Sequence, residues 1–401
     1  MEFKQNRWRY MIAAMIVALC AGIGYAWSVF QGPIVEDFGW TLSVVSLTFT
    51  IQVTTSTIAP VFLSGLQKKI GVKNYLIIGI LIYAIGLMLM RFMGSVLYLY
   101  LVYGIMIGIG LAMVYPTLAA YSVGLFPDKT GLASGLLACS YGSGAVLWAP
   151  IASRIMLNNS VLMVFFIFGC AFAVVMLIFV SLLKNIPEGY ADTFDIEKKE
   201  NTGATVKDYT WQEMVKTPTY AVILVTLVLG CTAGLMIAGH ASGMIQDTLG
   251  LTPERAAIIV GAYSVFNALG RLFFGVISDK LGRYNTMRIL FGVMFVGMIL
   301  LTFMGSFVFV IALFAVSACY GGFTSMFSPI CADNFGIKNL SVNYAFLYLA
   351  YGIAGLIGPQ LGARAKLISG GYSLAFMVVA VMSIVGIVLV SVLQKMKKTE
   401  V

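Results

Sequence analysis

Long apolar runs separated by short polar breaks dominate this chain. Twelve runs reach about 20 residues or more, near 9–31, 41–66, 74–93, 96–124, 130–156, 160–183, 219–246, 254–279, 286–304, 307–332, 342–366 and 372–394. A helix rises about 1.5 Å per residue, so each run can cross a bilayer. The weak ten-residue alternation of a membrane β-barrel is absent. The pattern predicts an all-α membrane protein with twelve transmembrane helices. One longer polar break, Lys184 to Lys216, holds Pro187, Gly189, Asp192, Asp195, Glu197 and Glu200. It predicts a linker over 184–218 between a first half, 1–183, and a second half, 219–401. Its end, YTWQEMVKTP, predicts a short interfacial helix, with Pro218 opening the next span.

The halves repeat each other. YGSGAVLWAPIASR starts at Tyr141 and YGIAGLIGPQLGAR at Tyr351, and each runs thirteen residues to Arg154 or Arg364. FPDK at Phe126 matches FGIK at Phe335. This is a parallel duplication of a six-helix unit, which makes the halves pseudo-symmetric and places a site at their interface. Glycines within the spans, among them Gly104, Gly108, Gly110, Gly131, Gly135, Gly352, Gly355 and Gly358, let helices approach closely.

Charge adds orientation. Of the 25 Lys and Arg, nineteen fall in loops on the side of the N-terminus and five on the other. Basic loops stay inside, so both termini are expected in the cytoplasm of a cell (inner) membrane protein. The net charge of +9 is thus a topology signal and gives no reason for nucleic-acid binding. All six cysteines lie in apolar spans without metal-type spacing, so disulfides and a zinc site are not expected. No nucleophile–base pair or HExxH motif supports an enzyme, and no cofactor is expected.

The remaining cation, Arg271, sits within SVFNALGRLFFGVISDK in the eighth span. A guanidinium at mid-membrane costs about 2.5–3.5 kcal/mol to insert. Such a residue usually faces a watery cavity and holds an anion. No Asp or Glu lies comparably deep, so a small anionic substrate is the expected partner. The competing reading pairs Arg271 with helix carbonyls or Asn267. His240, the lone histidine, reads as interfacial near the outer end of helix seven. The 22 methionines read as adaptable packing.

Gly275, Asp279, Gly282 and Arg283 resemble the loop motif of the major facilitator superfamily, which implies a latch on the cytoplasmic side. The matching first-half stretch, SGLQKKIGVK, has Gly65 but no acid. Asp333, near the cytoplasmic end of its span, is expected at the inner gate or in a helix-end hydrogen bond, away from the substrate. GYAW (24–27), FPDKTGLASG (126–135), NALGRLFFGVISDKLGRYNTM (267–287), ADNFG (332–336) and NYAFLYLAYGIAGLIGP (343–359) together resemble the oxalate/formate antiporter family. That resemblance implies a secondary transporter and a monomer. Arg271 would grip the substrate carboxylate beside Asn267. Tyr25, Tyr115, Tyr141, Tyr320, Tyr348 and Tyr351 would line the path, since phenols donate hydrogen bonds without adding charge.

Two departures narrow the substrate. Oxalate exchangers of this family carry a Lys where this chain has Tyr351, and one cation suits a monoanion such as formate or lactate better than a dianion, with oxalate as the alternative substrate. Proton-linked monocarboxylate porters, which resemble the family, often carry an Asp where this chain has Asn267. Anion exchange or uniport is therefore expected over proton symport, and a non-transporting sensor is disfavoured by the short polar segments.

Overall fold

In the computed structural model the apolar runs are helical, since a helix pairs its own backbone groups where lipid offers none. The structure describes residues 2–187, 189–194, 207–303 and 306–399. Twelve helices are long and apolar enough to cross a membrane. In the first half, α1 comprises Glu2–Ala21, a 3-10 turn Gly22–Ala26, and Trp27–Phe38. Next come α2 (Leu42–Ile70), α3 (Val72–Leu89) and α4, whose π-helical segment Tyr100–Ile107 leads into Gly108–Leu125. Then follow α5, as Thr130–Gly142 and Gly144–Met156, and α6 (Val161–Ser181). The second half has α7 (Pro218–Leu249), α8 (Pro253–Leu281), α9 (Arg283–Phe303), α10 (Ser306–Phe335), α11 (Leu340–Ser369) and α12 (Ser373–Thr399). Twelve crossings put both termini on one face, here called the terminal face.

Helices overrun the apolar windows. For example, α7 has 32 residues, so it is about 48 Å long and extends beyond the hydrocarbon. Hydropathy reports the solvent around a helix, whereas capping decides where it stops. Here Thr217 caps one end of α7, with Pro218 following as expected, and left-handed Gly250 caps the other.

The repeat is visible in backbone conformation. Gly39 and Gly250 end α2's and α8's predecessors with φ of 67° and 62°. Gly71 and Gly282 follow α2 and α8 with φ of 81° at both and ψ of 159° and 155°. That region is essentially open to glycine alone. Each pair is separated by the same interval, so the halves share turns as well as sequence phrases.

Between the halves, α5 packs on α8 and α2 on α11. Glycine makes the first contact possible. A methyl group at Gly131 would fall 2.2 Å from the Gly275 carbonyl oxygen, and one at Gly135 would fall 2.7 Å from that of Arg271.

The linker residues Asp195, Glu197, Lys198, Lys199 and Glu200 lie outside the described residues. On the first-half side, Tyr190 donates to the Leu125 carbonyl and Lys4 donates to that of Thr193. On the second-half side the short helix Trp211–Met214 forms, capped reciprocally by Thr210 and Glu213. Trp211 stacks on Phe346 at 4.7 Å.

Backbone-to-backbone contact at glycine predicts an ordering of stabilities. A Cβ at Gly321 would sit 2.1 Å from the Asn267 carbonyl oxygen, while Gly292 has open space. Gly321→Ala should destabilise by about 1–3 kcal/mol. Gly292→Ala should be neutral or stabilise by about 0.5–1 kcal/mol. Thermal unfolding in detergent checks this; an unchanged midpoint for the Gly321 variant would contradict the contact.

Candidate functional site

Two helix breaks at one level shape the centre. In α1 the winding tightens over Gly22–Ala26, carrying Tyr25. The Leu19 and Cys20 carbonyls there accept from Trp148 Nε1 at 2.7 Å and the Tyr83 hydroxyl at 3.2 Å. In α5 the helix breaks at Ser143, just after Tyr141. The breaks touch: a Cβ at Gly22 would lie 2.1 Å from the Tyr141 carbonyl oxygen. The result fixes Tyr25 against Tyr141, edge to face, with centroids 5.3 Å apart.

Arg271 lies beside this junction and is 1% exposed. The sequence suggests a bare guanidinium facing water; the structure shows one capped by neutral acceptors. Nε donates to Asn267 Oδ1 at 3.0 Å, one terminal nitrogen to the Ala138 carbonyl at 2.8 Å, and the other to the Tyr25 hydroxyl at 3.3 Å. Asn267 is itself oriented, since its amide donates to the Ser317 carbonyl at 3.2 Å. Gly142 leaves the room: a Cβ there would lie 2.9 Å from the guanidinium carbon. The Asp and Glu side chains that form ion pairs lie toward the membrane faces, and Asp279 and Asp333 pair with Arg283.

The tyrosines form one connected group. Tyr351 takes part in hydrogen bonds with Tyr320 at 3.0 Å and Tyr25 at 3.5 Å. Tyr115 stacks on Tyr141 at 4.2 Å, and Tyr348 lies parallel to Tyr351 at 5.4 Å. Tyr25, Tyr141, Tyr348 and Tyr351 wall a cavity of about 20 Å³, room for about one water. Helix α2 supplies Phe49, Gln52, Val53 and Ser56 to the same wall. Tyr115 and Tyr320 stand behind the wall and brace it. His240 lies apart from this group. Its Nε2 is 2.8 Å from the Pro359 carbonyl, between α7 and α11.

Toward the terminal face the halves are joined. Asp279 accepts from the Gly131 and Leu132 amides at the start of α5, both at 2.8 Å. Arg283 donates to Asp279 at 2.8 Å, to Asp333 at 3.0 Å, and to Ser278 and Thr130. The pseudo-symmetric place, between α2 and α11, is filled by Ser341 donating to Gln67. Deeper, Ser134 donates to the Ser325 carbonyl at 2.7 Å and Ser328 to that of Ala119 at 3.1 Å. Among the described residues, side-chain hydrogen bonds between the halves all lie from the level of Arg271 to this face. The structure is therefore closed on the terminal side.

The family description "Major Facilitator Superfamily" matches residues 10–246 and 223–400. The chain belongs to this superfamily. It is a secondary transporter, not an enzyme. It is 28% identical to the uncharacterized MFS-type transporter YhjX of Escherichia coli, over 88% of this chain and 87% of the relative. It is also 28% identical to the oxalate:formate antiporter of Oxalobacter formigenes, over 96% and 90%. Monocarboxylate transporter 12-B of Danio rerio is 23% identical over 92% and 83%. The fold matches the transporter FucP in its outward conformation, with a TM-score of 0.74, 15% identity, and 96% and 99% of the chains covered. It also matches the proton:xylose symporter XylE, with a TM-score of 0.76, 14% identity, and 96% and 95% covered.

Sequence reasoning missed several members of the site. Tyr344 stacks on Tyr348 at 5.4 Å, and its spacing from Tyr348 and Tyr351 marks a single helix face. Gln52 is a lone amide in a stretch rich in Thr and Ser. The Ala138 carbonyl has no sequence signal, because every residue has one.

The terminal-face contacts predict a change in closure. Replacing Asp279 by Asn removes charge-assisted bonds worth about 1.5–3 kcal/mol. Ser325 is fully buried beneath them. A maleimide should label Ser325→Cys about tenfold faster or more when Asp279→Asn is added. Equal labelling rates would show that closure does not rest on Asp279.

Proposed function

We propose that this transporter moves small monocarboxylates by alternating access, with Arg271 as the carboxylate anchor. The carrying observation is the buried guanidinium, which among the described residues is held only by neutral acceptors, an amide oxygen, a carbonyl and a phenol. An incoming carboxylate would replace weak partners with a charge-matched one. Relatives named as an oxalate:formate antiporter and a monocarboxylate transporter support the substrate class.

Charge count favours a monoanion. Tyr351 stands where oxalate exchangers of the resembling family carry a Lys, and it brings a hydroxyl without charge. The cavity holds about one water and Arg271 is not part of its lining, so a carboxylate must widen it to reach the guanidinium, and short acids such as formate or lactate demand the least widening. Asn267, hydrogen-bonded on both sides, occupies the place of a proton-binding Asp, which favours exchange or uniport over proton symport. In this reading Asp279, Arg283 and Asp333 form the gate of the terminal face. Residues 184–218 link the two halves. The termini are cytoplasmic, and the transporter acts as a monomer in the cell membrane.

Counterflow in proteoliposomes tests this reading. Vesicles are loaded with unlabelled formate, lactate or oxalate, and uptake of each labelled acid is followed. Monocarboxylate uptake should depend on an internal anion, and Arg271→Gln should lower it by about 30-fold or more. Undiminished uptake by the mutant would remove Arg271 from the site. Faster uptake of oxalate than of monocarboxylates would overturn the charge count.

A further inference from the structure

The cavity wall includes a polar group that carboxylate binding leaves unused. Gln52 is 3% exposed and lies on α2 among hydroxyl-bearing residues, Thr48, Thr50, Thr54, Thr55, Ser56 and Thr57. Among the described residues its amide has no hydrogen-bond partner, yet it lines the same cavity as Tyr25, Tyr141, Tyr348 and Tyr351. Its Oε1 points toward Gly24, 3.8 Å from where a Cβ there would be, next to Tyr25. Its amide thus faces a cavity with room for about one water, so its hydrogen-bonding groups are open to whatever occupies that space. The neighbouring Ser56 hydroxyl already donates to the Val53 carbonyl at 2.9 Å, so it offers this place an acceptor and no proton.

We propose that Gln52 is a specificity residue that reads an oxygen on the carbon next to the carboxylate, making short 2-hydroxy and 2-oxo acids the preferred substrates. This rests on the carboxylate reading of Arg271. With the carboxylate among Arg271 and the Tyr25 and Tyr351 hydroxyls, the rest of a short acid faces the α2 side of the cavity. The amide donates through Nε2 to a hydroxyl or keto oxygen, and its Oε1 accepts from a hydroxyl. Acetate fills the same space but leaves the amide unpaired. A site built to hydrogen-bond a substrate group rejects the analogue lacking it far more strongly than an apolar pocket rejects the reverse.

The test measures initial rates for labelled glycolate, glyoxylate and acetate in proteoliposomes, with wild type, Gln52→Leu, Gln52→Asn and Arg271→Gln. The wild type should prefer glycolate and glyoxylate over acetate by about tenfold or more in kcat/KM. In Gln52→Leu that ratio should fall to near one. Gln52→Asn, which keeps the amide on a shorter stem, should restore part of it. Because the readout is a ratio within one protein, a poorly folded fraction does not alter it. If Gln52→Leu is inactive, the partial ratio in Gln52→Asn decides. A wild-type protein indifferent to the 2-oxygen, or variants keeping its preference, would overturn the role of Gln52 and leave Arg271 untouched. Failure of the wild type to move any of these acids in an Arg271-dependent way would overturn the carboxylate reading, and this proposal with it.

Discussion

One positive charge, buried at mid-membrane without an acid beside it, sets the terms for this molecule. An ion placed in low dielectric needs close, well-aimed partners. Arg271 finds them in the Asn267 side chain, the Tyr25 hydroxyl and the Ala138 carbonyl. Two of these come from the opposite half. The guanidinium therefore joins the halves. The glycines of α5 serve the same end, since a side chain at Gly142 would occupy the space of the guanidinium itself.

The repeat supplies a frame, and the departures from it supply direction. Gly71 and Gly282 share one backbone conformation, so the turns after α2 and α8 are built alike. Their side chains are not alike. Asp279 at the end of α8 and Arg283 at the start of α9 tie to α5 through charged bonds, while Gln67 and Ser341 tie α2 to α11 through neutral ones. In sequence register, Lys68 stands in the first half where Asp279 stands in the second. One seam of the terminal face is thus ionic and the other is not.

Much of this was legible because charge and apolar runs leave strong marks in sequence. Arg271 is conspicuous inside an apolar helix, and Tyr141 and Tyr351 are conspicuous through the repeat. Twelve crossings follow from length and hydropathy. The breaks at Gly22–Ala26 and Ser143 were not legible. They depend on a close approach of α1 and α5 that no local pattern encodes. The partners of Arg271 were only partly legible, because a backbone carbonyl such as that of Ala138 looks the same everywhere in a chain. Tyr344 was hidden among 20 tyrosines until its neighbours on the helix face were known.

The missing acid has an electrical consequence. A carrier whose central site has one fixed cation is neutral there when a monoanion is bound and positive when empty. Membrane voltage acts on charge at about 2.3 kcal/mol per elementary charge per 100 mV. For the proposed monoanion, the loaded passage would be nearly blind to voltage and the empty return would feel it. With the monoanion proposed above, an inside-negative potential would favour the form of the empty, positive site that is open to the negative side.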